Sequence, residues 1–457
     1  MEAKLILETQ KEYFKTRATR DVGMLKKLLT KLRSEILAKE DAIYEAVYKD
    51  LKKSKFEAYF SEIGVVISEI DLTLKHIDSW SKPKKIRAAG LNFPSRDYIY
   101  SEPYGTVLTI APWNYPFQLA VAPLIAAIAA GNTVVLKPSE HAPKTATLLA
   151  ELIAKTFDPQ HVTVVNGDAS VAKELLDHRW DHIIFTGSTH VGKIIAKAAA
   201  DHLTPTILEL GGKNPCIVDA TAPIQLTAKR IVWGKYVNCG QTCIAPDYLL
   251  VDESIKAPLL KALVEEIKNA YGEDASTAHS YGRIAHQRHF DRLVELIKGS
   301  DLVYGGDSDD KTLYFGPTLL EVDNTQHPTM AEEIFGPILP VLSYSNESEL
   351  NPIIDTYERP LGFYVFSKRK KFIKNIFHRY SYGGGVANDT VIQFANDKLP
   401  FGGVGYSGLG AYHGKHSFDA FTHFKPFIKR GTWIDPFVRY APYPSSFDWL
   451  KKLLNFI

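Results

Sequence analysis

Apolar residues in the first eighty positions recur at helical spacing. Leu25, Leu28, Leu29 and Leu32 fall on one face of a 3.6-residue repeat, and Lys and Glu pairs fill much of the rest. The spacing predicts packed helices to about Trp80. From Gly105 the rhythm changes. Short β-rich runs at Thr106–Ile110, Thr133–Leu136, Val162–Val165, Ile183–Phe185 and Thr206–Leu208 are separated by Ala-rich stretches. Strands alternating with helices predict a parallel sheet covered on both faces. The longest apolar run, Leu119–Ala130, contains Pro123 and is too short to cross a bilayer, so it reads as a buried helix. After Pro215 a second α/β pattern begins. Its expected strands are Ile217-Val218, Tyr248–Val251, Leu319–Val322, Leu339–Leu342 and Phe363–Phe366. The stretch Lys84–Ser101 reads as extended and polar.

Parallel sheets bind ligands beyond the carboxyl ends of their strands. Asn114, Lys137, Gly187 and Glu209 all follow such ends. Gly403-Val404-Gly405-Tyr406-Ser407-Gly408 is a literal G-x-G-x-x-G, but it lacks the preceding strand and following helix that give the motif its meaning. It reads as glycine-rich backbone near a cleft. Gly187-Ser188-Thr189-His190-Val191-Gly192 is the better phosphate candidate. It lies between a strand and a helix, where backbone N–H groups and the Ser188 hydroxyl meet an anion. Ser188 also suits a plain helix N-cap, and the two roles are compatible.

Composition narrows the function. A chain of 457 residues predicts roughly two or three domains. Lys plus Arg is 54 against 52 Asp plus Glu, which argues against a nucleic-acid partner. The cluster Lys82-Pro83-Lys84-Lys85 reads as a solvated loop. Three cysteines, Cys216, Cys239 and Cys243, make no disulfide framework and fit a reducing, cytoplasmic compartment. No Cys or His pair accompanies them, so no metal site is expected. The first twenty residues lack the apolar core of a signal peptide.

The chemistry concentrates in Gly240-Gln241-Thr242-Cys243-Ile244-Ala245-Pro246 and, ahead of it, Glu209-Leu210-Gly211-Gly212-Lys213. A thiol reacts as its thiolate and needs a setting that activates it. A lone Cys is more often a small buried hydrophobe. Here a thiol, an acid and bracketing glycines suggest a nucleophile with its base.

These two stretches resemble the paired signature of the aldehyde dehydrogenase superfamily. Pro112-Trp113-Asn114, Lys137-Pro138-Ser139-Glu140, Phe185-Thr186-Gly187-Ser188-Thr189, Glu332-Glu333-Ile334-Phe335-Gly336-Pro337 and Pro400-Phe401-Gly402-Gly403 follow in the family's order. Gly408-Leu409-Gly410-Ala411-Tyr412-His413-Gly414-Lys415-His416 resembles its class 3, fatty-aldehyde branch. The resemblance covers nearly the whole chain. It implies an α/β fold with a Rossmann-type cofactor domain (1–82 and 102–208) and a second α/β domain carrying the nucleophile (209–417). It also implies a small bridging element (83–101 and 418–440) that joins subunits into a homodimer, followed by an amphipathic tail (441–457).

The implied reaction is aldehyde plus NAD(P)⁺ plus water to carboxylate. Cys243 attacks the carbonyl. Asn114 and the Cys243 backbone N–H hold the oxyanion. Glu209 activates the water that cleaves the thioester, for which an apolar setting must raise its pKa. Without the resemblance, Asn114 reads as a turn residue and Glu209 as an acid at a strand end. Trp113, Gly187 and Ser188 belong to the implied cofactor contacts. Lys137 and Glu140 resemble the adenosine-ribose contacts, and Glu333 with Phe335 the nicotinamide-ribose contacts. Glu140 opposes a 2′-phosphate by charge, so NAD is the expected cofactor with NADP as the alternative.

Tyr115, Trp233, Ile392 and Phe394 fall where class 3 relatives line a substrate tunnel; core packing is the plain reading of Trp233. They suggest a medium or long apolar aldehyde, aliphatic or conjugated. Cys239 stands where relatives carry a small residue, and if the stretch is helical its thiol lies one turn from Cys243, a disulfide trap under oxidation. Ser446–Ile457 resembles a helix that caps the substrate funnel and, in fatty aldehyde dehydrogenases, precedes a membrane-spanning tail. Here it suggests a funnel rim or a peripheral membrane contact without a transmembrane anchor. Two other readings compete: a CoA-acylating dehydrogenase, which lacks the general-base acid, and a non-catalytic relative, which has no need of Cys243, Glu209, Asn114 and Lys137 together.

Overall fold

A computed structural model of the chain describes residues 3–435 and 437–454. Asn455, Phe456 and Ile457, the last residues of the expected amphipathic tail, lie outside the described residues. The amino-terminal helices start and stop on local signals. Asp21 accepts from the N–H groups of Gly23 and Met24 and caps helix Val22–Ala38. Leu25, Leu29 and Leu32 are buried on its inner face. Helices Glu40–Leu51 and Gly64–Trp80 add Ile43, Val47, Val66 and Ile70 to the same core.

That core covers a six-stranded sheet in the spatial order Gly408–Leu409, Thr206–Glu209, His182–Thr186, Thr106–Ile110, Thr133–Lys137 and Val162–Val164. The five strands from Thr106 to Glu209 are parallel. The chain lays down its first three from Thr106–Ile110 outward, then returns to add the other two on the opposite side. The order therefore reverses between Thr106–Ile110 and His182–Thr186, and such a switch point opens a crevice at the strands' carboxyl ends. Helix Gln118–Ala129 is buried along its whole length despite Pro123.

The sheet's last member comes from far along the chain. Gly408–Leu409 pairs antiparallel with Glu209 and Leu208. Helix Lys415–Ala420 follows it and packs Phe418 into the first core. Within the segment 209–417, then, the chain has already returned to the first sheet, and it packs closely there: a β-carbon at Gly408 would stand 2.6 Å from the Leu208 carbonyl oxygen.

The second sheet runs Leu302–Tyr304, Thr318–Glu321, Ile338–Tyr344, Tyr248–Asp252, Pro215–Val218, Gly362–Phe366 and Gly384–Ala387, parallel except at the first pair. Its five central strands are largely buried on both faces and make the second core, while the edge strands Leu302–Tyr304 and Gly384–Ala387 are partly exposed. A separate antiparallel sheet joins Lys84–Ile86, Ser95–Pro103 and Thr422–Arg430, so the two segments assigned to the bridging element pair with each other.

Candidate active site

The first switch-point strand ends at Ile110 and delivers Pro112, Trp113 and Asn114 into the crevice. Its neighbour ends at Thr186 and delivers Gly187 and Ser188, after which helix Thr189–Asp201 begins. Ser188 caps that helix, its hydroxyl accepting from the Val191 N–H. The free N–H groups of the first turn face a cavity of about 420 Å³. Gly187 is required here, since a β-carbon would lie 2.4 Å from the Phe185 ring.

Glu209 closes the next strand. Its carbonyl accepts from Gly187 N–H at 2.9 Å, and Leu210 N–H donates to the Ser407 carbonyl at 3.1 Å. Both carboxylate oxygens are buried without a hydrogen-bond partner among the described residues. Burial alone raises its pKa well above the carboxylate range. Cys243 sits across from it on a loop that Asn214 holds, its amide donating to the Cys243 carbonyl at 2.8 Å and to Ala245 at 2.9 Å. Burial first, then the charges of Glu333 and Glu209, push the thiol up to about 12, opposed by the N–H groups of Cys243 and Ile244. Thr186, Glu209 and Cys243 also line a second cavity of about 570 Å³ on the other side. The thiol and the acid thus stand where two cavities meet.

The first cavity is polar at its far end. Glu333 is buried there, raised to about 8 by burial and by the charge of Asp247. Arg292 donates to the carbonyls of Glu333 and Ile334 and pairs with Glu332. Lys213 binds the carbonyls of Thr329 and Glu332 and the carboxylate of Asp247. Phe335 adopts a left-handed φ of 54° and packs edge-on against Trp113. The second cavity is largely apolar. Tyr115, Trp233, Ile392 and Phe394 all line it, with Phe60, Val65, Leu119 and Phe401. Tyr115 is fixed by a 2.6 Å hydrogen bond to the Thr242 hydroxyl.

The aldehyde dehydrogenase family model matches residues 1–427. The chain belongs to the aldehyde dehydrogenase family. It is 44% identical to the 4,4′-diaponeurosporen-aldehyde dehydrogenase of Staphylococcus aureus (strain NCTC 8325 / PS 47), over 97% of both chains. Two mouse relatives are aldehyde dehydrogenase family 3 member A2, 42% identical over 97% of this chain and 92% of that one, and the dimeric NADP-preferring aldehyde dehydrogenase, 41% identical over 96% and 98%. A solved structure described as the substrate-bound state of Staphylococcus aureus AldH matches with a TM-score of 0.97, at 43% identity, over 99% of both chains. This chain is an NAD(P)-dependent aldehyde dehydrogenase of the class 3 branch.

In this aldehyde dehydrogenase, Asn114, Trp113, Gly187, Ser188, Glu333 and Phe335 share the first cavity with Cys243 and Glu209. Lys137 and Glu140 do not line it. They lie one strand away, where Lys137 Nζ meets Glu140 at 2.7 Å. Burial is the largest single influence and acts to raise Glu140, but the Lys137 hydrogen bond and charge, its own backbone N–H and the charge of His141 together outweigh it, and the net shift is downward. A recess of about 380 Å³ bounded by Thr163–Asn166, Val171 and Leu175 opens beside that strand. Cys239 is not on a helix with Cys243. Asn238 and Cys239 take left-handed φ values of 54° and 53°, and the Cys239 side chain is buried against Tyr281 and Gly282. The G-x-G-x-x-G stretch forms a tight turn bridged from Gly405 to Gly408 behind Glu209. Sequence reasoning missed Arg292 and the buried Lys53–Glu62 pair, and gave Gln241 no role of its own although it stands in the Cys243 stretch. Lys213 had a signal, since it closes the Glu209 motif. Among the described residues, no cluster of three or more His, Cys, Asp or Glu side chains could hold a metal ion.

Proposed function

We propose that Cys243, Glu209 and Asn114 carry the oxidation of apolar aldehydes in this enzyme. The observation that supports it best is the position of Cys243 and the unpartnered Glu209 carboxyl at the junction of the cavity that holds Glu333 and the Ser188-capped helix start with a second, largely apolar one. The apolar cavity brings the aldehyde carbonyl to Cys243, whose thiolate adds to the carbon. The developing oxyanion accepts from the Cys243 N–H and from Asn114 Nδ2. One Asn114 amide hydrogen is held by the Gln241 carbonyl at 2.9 Å, which leaves the other for the oxyanion. NAD(P)⁺, held in the first cavity, would supply the hydride acceptor. Glu209, ionised once water reaches it, removes a proton from the water that cleaves the Cys243 thioester, giving the carboxylate.

The residues fit such a cofactor. The Ser188-capped helix start would hold the pyrophosphate, Glu333 and Phe335 the nicotinamide ribose, and Lys137 and Glu140 the adenosine ribose, with the recess at Thr163–Asn166 left for the base. The six-stranded sheet with its helices serves as the cofactor domain and the seven-stranded sheet as the nucleophile domain. The paired strands Ser95–Pro103 and Thr422–Arg430 serve a homodimer.

The substrate is a medium or long apolar aldehyde, given the lining of the second cavity and the absence from it of Arg or Lys among the described residues. No described helix is long and apolar enough to cross a membrane. Exposed Phe437, Tyr443, Phe447 and Trp449 near helix Asp448–Leu454 support a funnel rim or a peripheral membrane contact. An assay of NADH and NADPH formation over saturated aldehydes of increasing length, without CoA, tests the reading. Specificity rising with chain length is expected. A flat profile, or a requirement for CoA, overturns it.

A further inference from the structure

The loop that carries Asn114 is gripped from a direction the reaction does not use. Lys53 and Glu62, on the amino-terminal helical segment, are an ion pair with no exposed side-chain surface. Lys53 Nζ donates to Glu62 Oε1 at 2.7 Å and to the Asn114 carbonyl at 2.9 Å. It also lies 3.9 Å from the centre of the Tyr115 ring. Glu62 Oε2 accepts from the N–H groups of Phe117 at 3.0 Å and Gln118 at 2.9 Å. One ion pair therefore fixes both ends of the loop from Asn114 to Gln118. Glu62 reaches it from a single π-helical turn, Tyr59–Ile63, a departure from α geometry that recurs at functional sites.

The same network reaches the nucleophile loop. Glu57, also buried, accepts from Asn238 N–H at 2.8 Å. Asn238 Nδ2 donates to the Asn114 carbonyl at 2.8 Å and to the Gln241 carbonyl at 3.2 Å. Asn114 Nδ2 donates to that same Gln241 carbonyl. The Gln241 side chain is itself held by the carbonyls of Asn238 and Arg283 and by Ala285 N–H. Loops from the two sheets are thus locked to each other and to the amino-terminal helices.

A buried ion pair is a poor source of stability, because an apolar pair of similar volume often does as well. What it supplies is direction. Glu62 Oε2 and two of the ammonium's contacts are aimed at one short loop, while Glu62 Oε1 holds the ammonium itself. We propose that Lys53 and Glu62 are positioning residues for the first chemical step, holding Asn114 so that its second amide hydrogen faces the oxygen of an aldehyde bound at Cys243. Neither touches substrate. The inference rests on Asn114 being an oxyanion donor.

A double-mutant cycle on the full chain tests it. Lys53→Met alone strands a buried carboxylate and disfavours folding, so the informative enzyme is Lys53→Met/Glu62→Gln, with folding checked by circular dichroism and melting. The readout is the pre-steady-state burst of NADH, with cofactor affinity measured separately. Loss of one oxyanion donor, or misplacement by about 1 Å, lowers rates by about 10²-fold or more. The double variant is expected to lose between about tenfold and a hundredfold in burst rate with cofactor affinity unchanged. Placed on Asn114→Ala, the same pair of changes is expected to alter the burst by less than about twofold. An unchanged burst in the folded double variant overturns the proposal, and so does an equal loss in both backgrounds, which marks general loosening. A parent-like burst in Asn114→Ala alone overturns the oxyanion reading instead, without any change at Lys53 or Glu62.

Discussion

The Glu333 carboxylate lies where a side chain on Gly211 would have to go: a β-carbon there would stand 2.1 Å from Oε2. The glycine is needed for approach and not for backbone freedom. Gly211→Ala should therefore displace Glu333 and raise the KM for cofactor by about tenfold, at a stability cost of about 1–3 kcal/mol. Titration of cofactor binding by fluorescence checks this, and unchanged affinity would show that Glu333 has room to move aside.

Glu333 also makes stability depend on pH. Its pKa is raised from 4.5 to about 8 by burial and by Asp247. A raised carboxyl stabilises the fold while neutral, so this contribution is complete below about 4.5 and is lost as pH climbs through about 8. Glu333→Gln should flatten the fall in melting temperature over that range when no cofactor is added. A fall of the same steepness in the variant would place its origin elsewhere.

The thiol should show its burial in the rate of the first hydride transfer. Cys243 is held at about 12, so the thiolate is a minor form at neutral pH and its fraction grows with pH. The NADH burst rate is expected to climb across the neutral range, and Cys243→Ala to abolish the burst while leaving cofactor binding intact. A pH-independent burst would mean that thiolate formation does not control the step.

Glu209→Gln separates the two halves of the reaction. A neutral amide cannot take the proton from water, so the thioester should accumulate. A burst near the parent rate followed by turnover at least about tenfold slower is expected. Equal losses in both phases would point to a positioning role for the acid.

Removing residues after Pro444 tests the exposed aromatic surface near the carboxyl terminus. Each buried apolar side chain contributes about 1.5–3 kcal/mol, enough to matter to a long alkyl chain. Chain-length profiles and liposome flotation should be measured for both proteins. Altered handling of long aldehydes with flotation unchanged supports the rim, whereas lost flotation with identical profiles supports membrane contact.

The ten central strands of the two sheets were legible because each is a short apolar run between turn residues, whereas Leu302–Tyr304, Gly384–Ala387 and Gly408–Leu409 were not, being short, half-exposed or glycine-rich; the surrounding glycines singled out Glu209 and Cys243 as candidates. Lys53 was not legible. In Lys52-Lys53-Ser54-Lys55 it looks like one more solvated cation, and only the fold shows that it is the one turned inward. For Cys239 the condition of a helical turn is not met: Asn238, whose N–H is held by Glu57, and Cys239, packed against Gly282, take left-handed geometry.

The pairing of Glu209 with Gly408 has a bearing on how the molecule assembles. The strand ending in the acid lacks one neighbour until Gly408–Leu409 has been synthesised and docked. A nascent chain released short of Gly408 would carry Thr206–Glu209 as an open sheet edge, a template for pairing with other chains. Contacts so distant in sequence also form late, since a long loop must close before they reward it. The strand that carries Glu209, the proposed base, is therefore completed only after nearly the whole polypeptide has left the ribosome, and truncated products are expected to aggregate rather than to turn over aldehyde slowly.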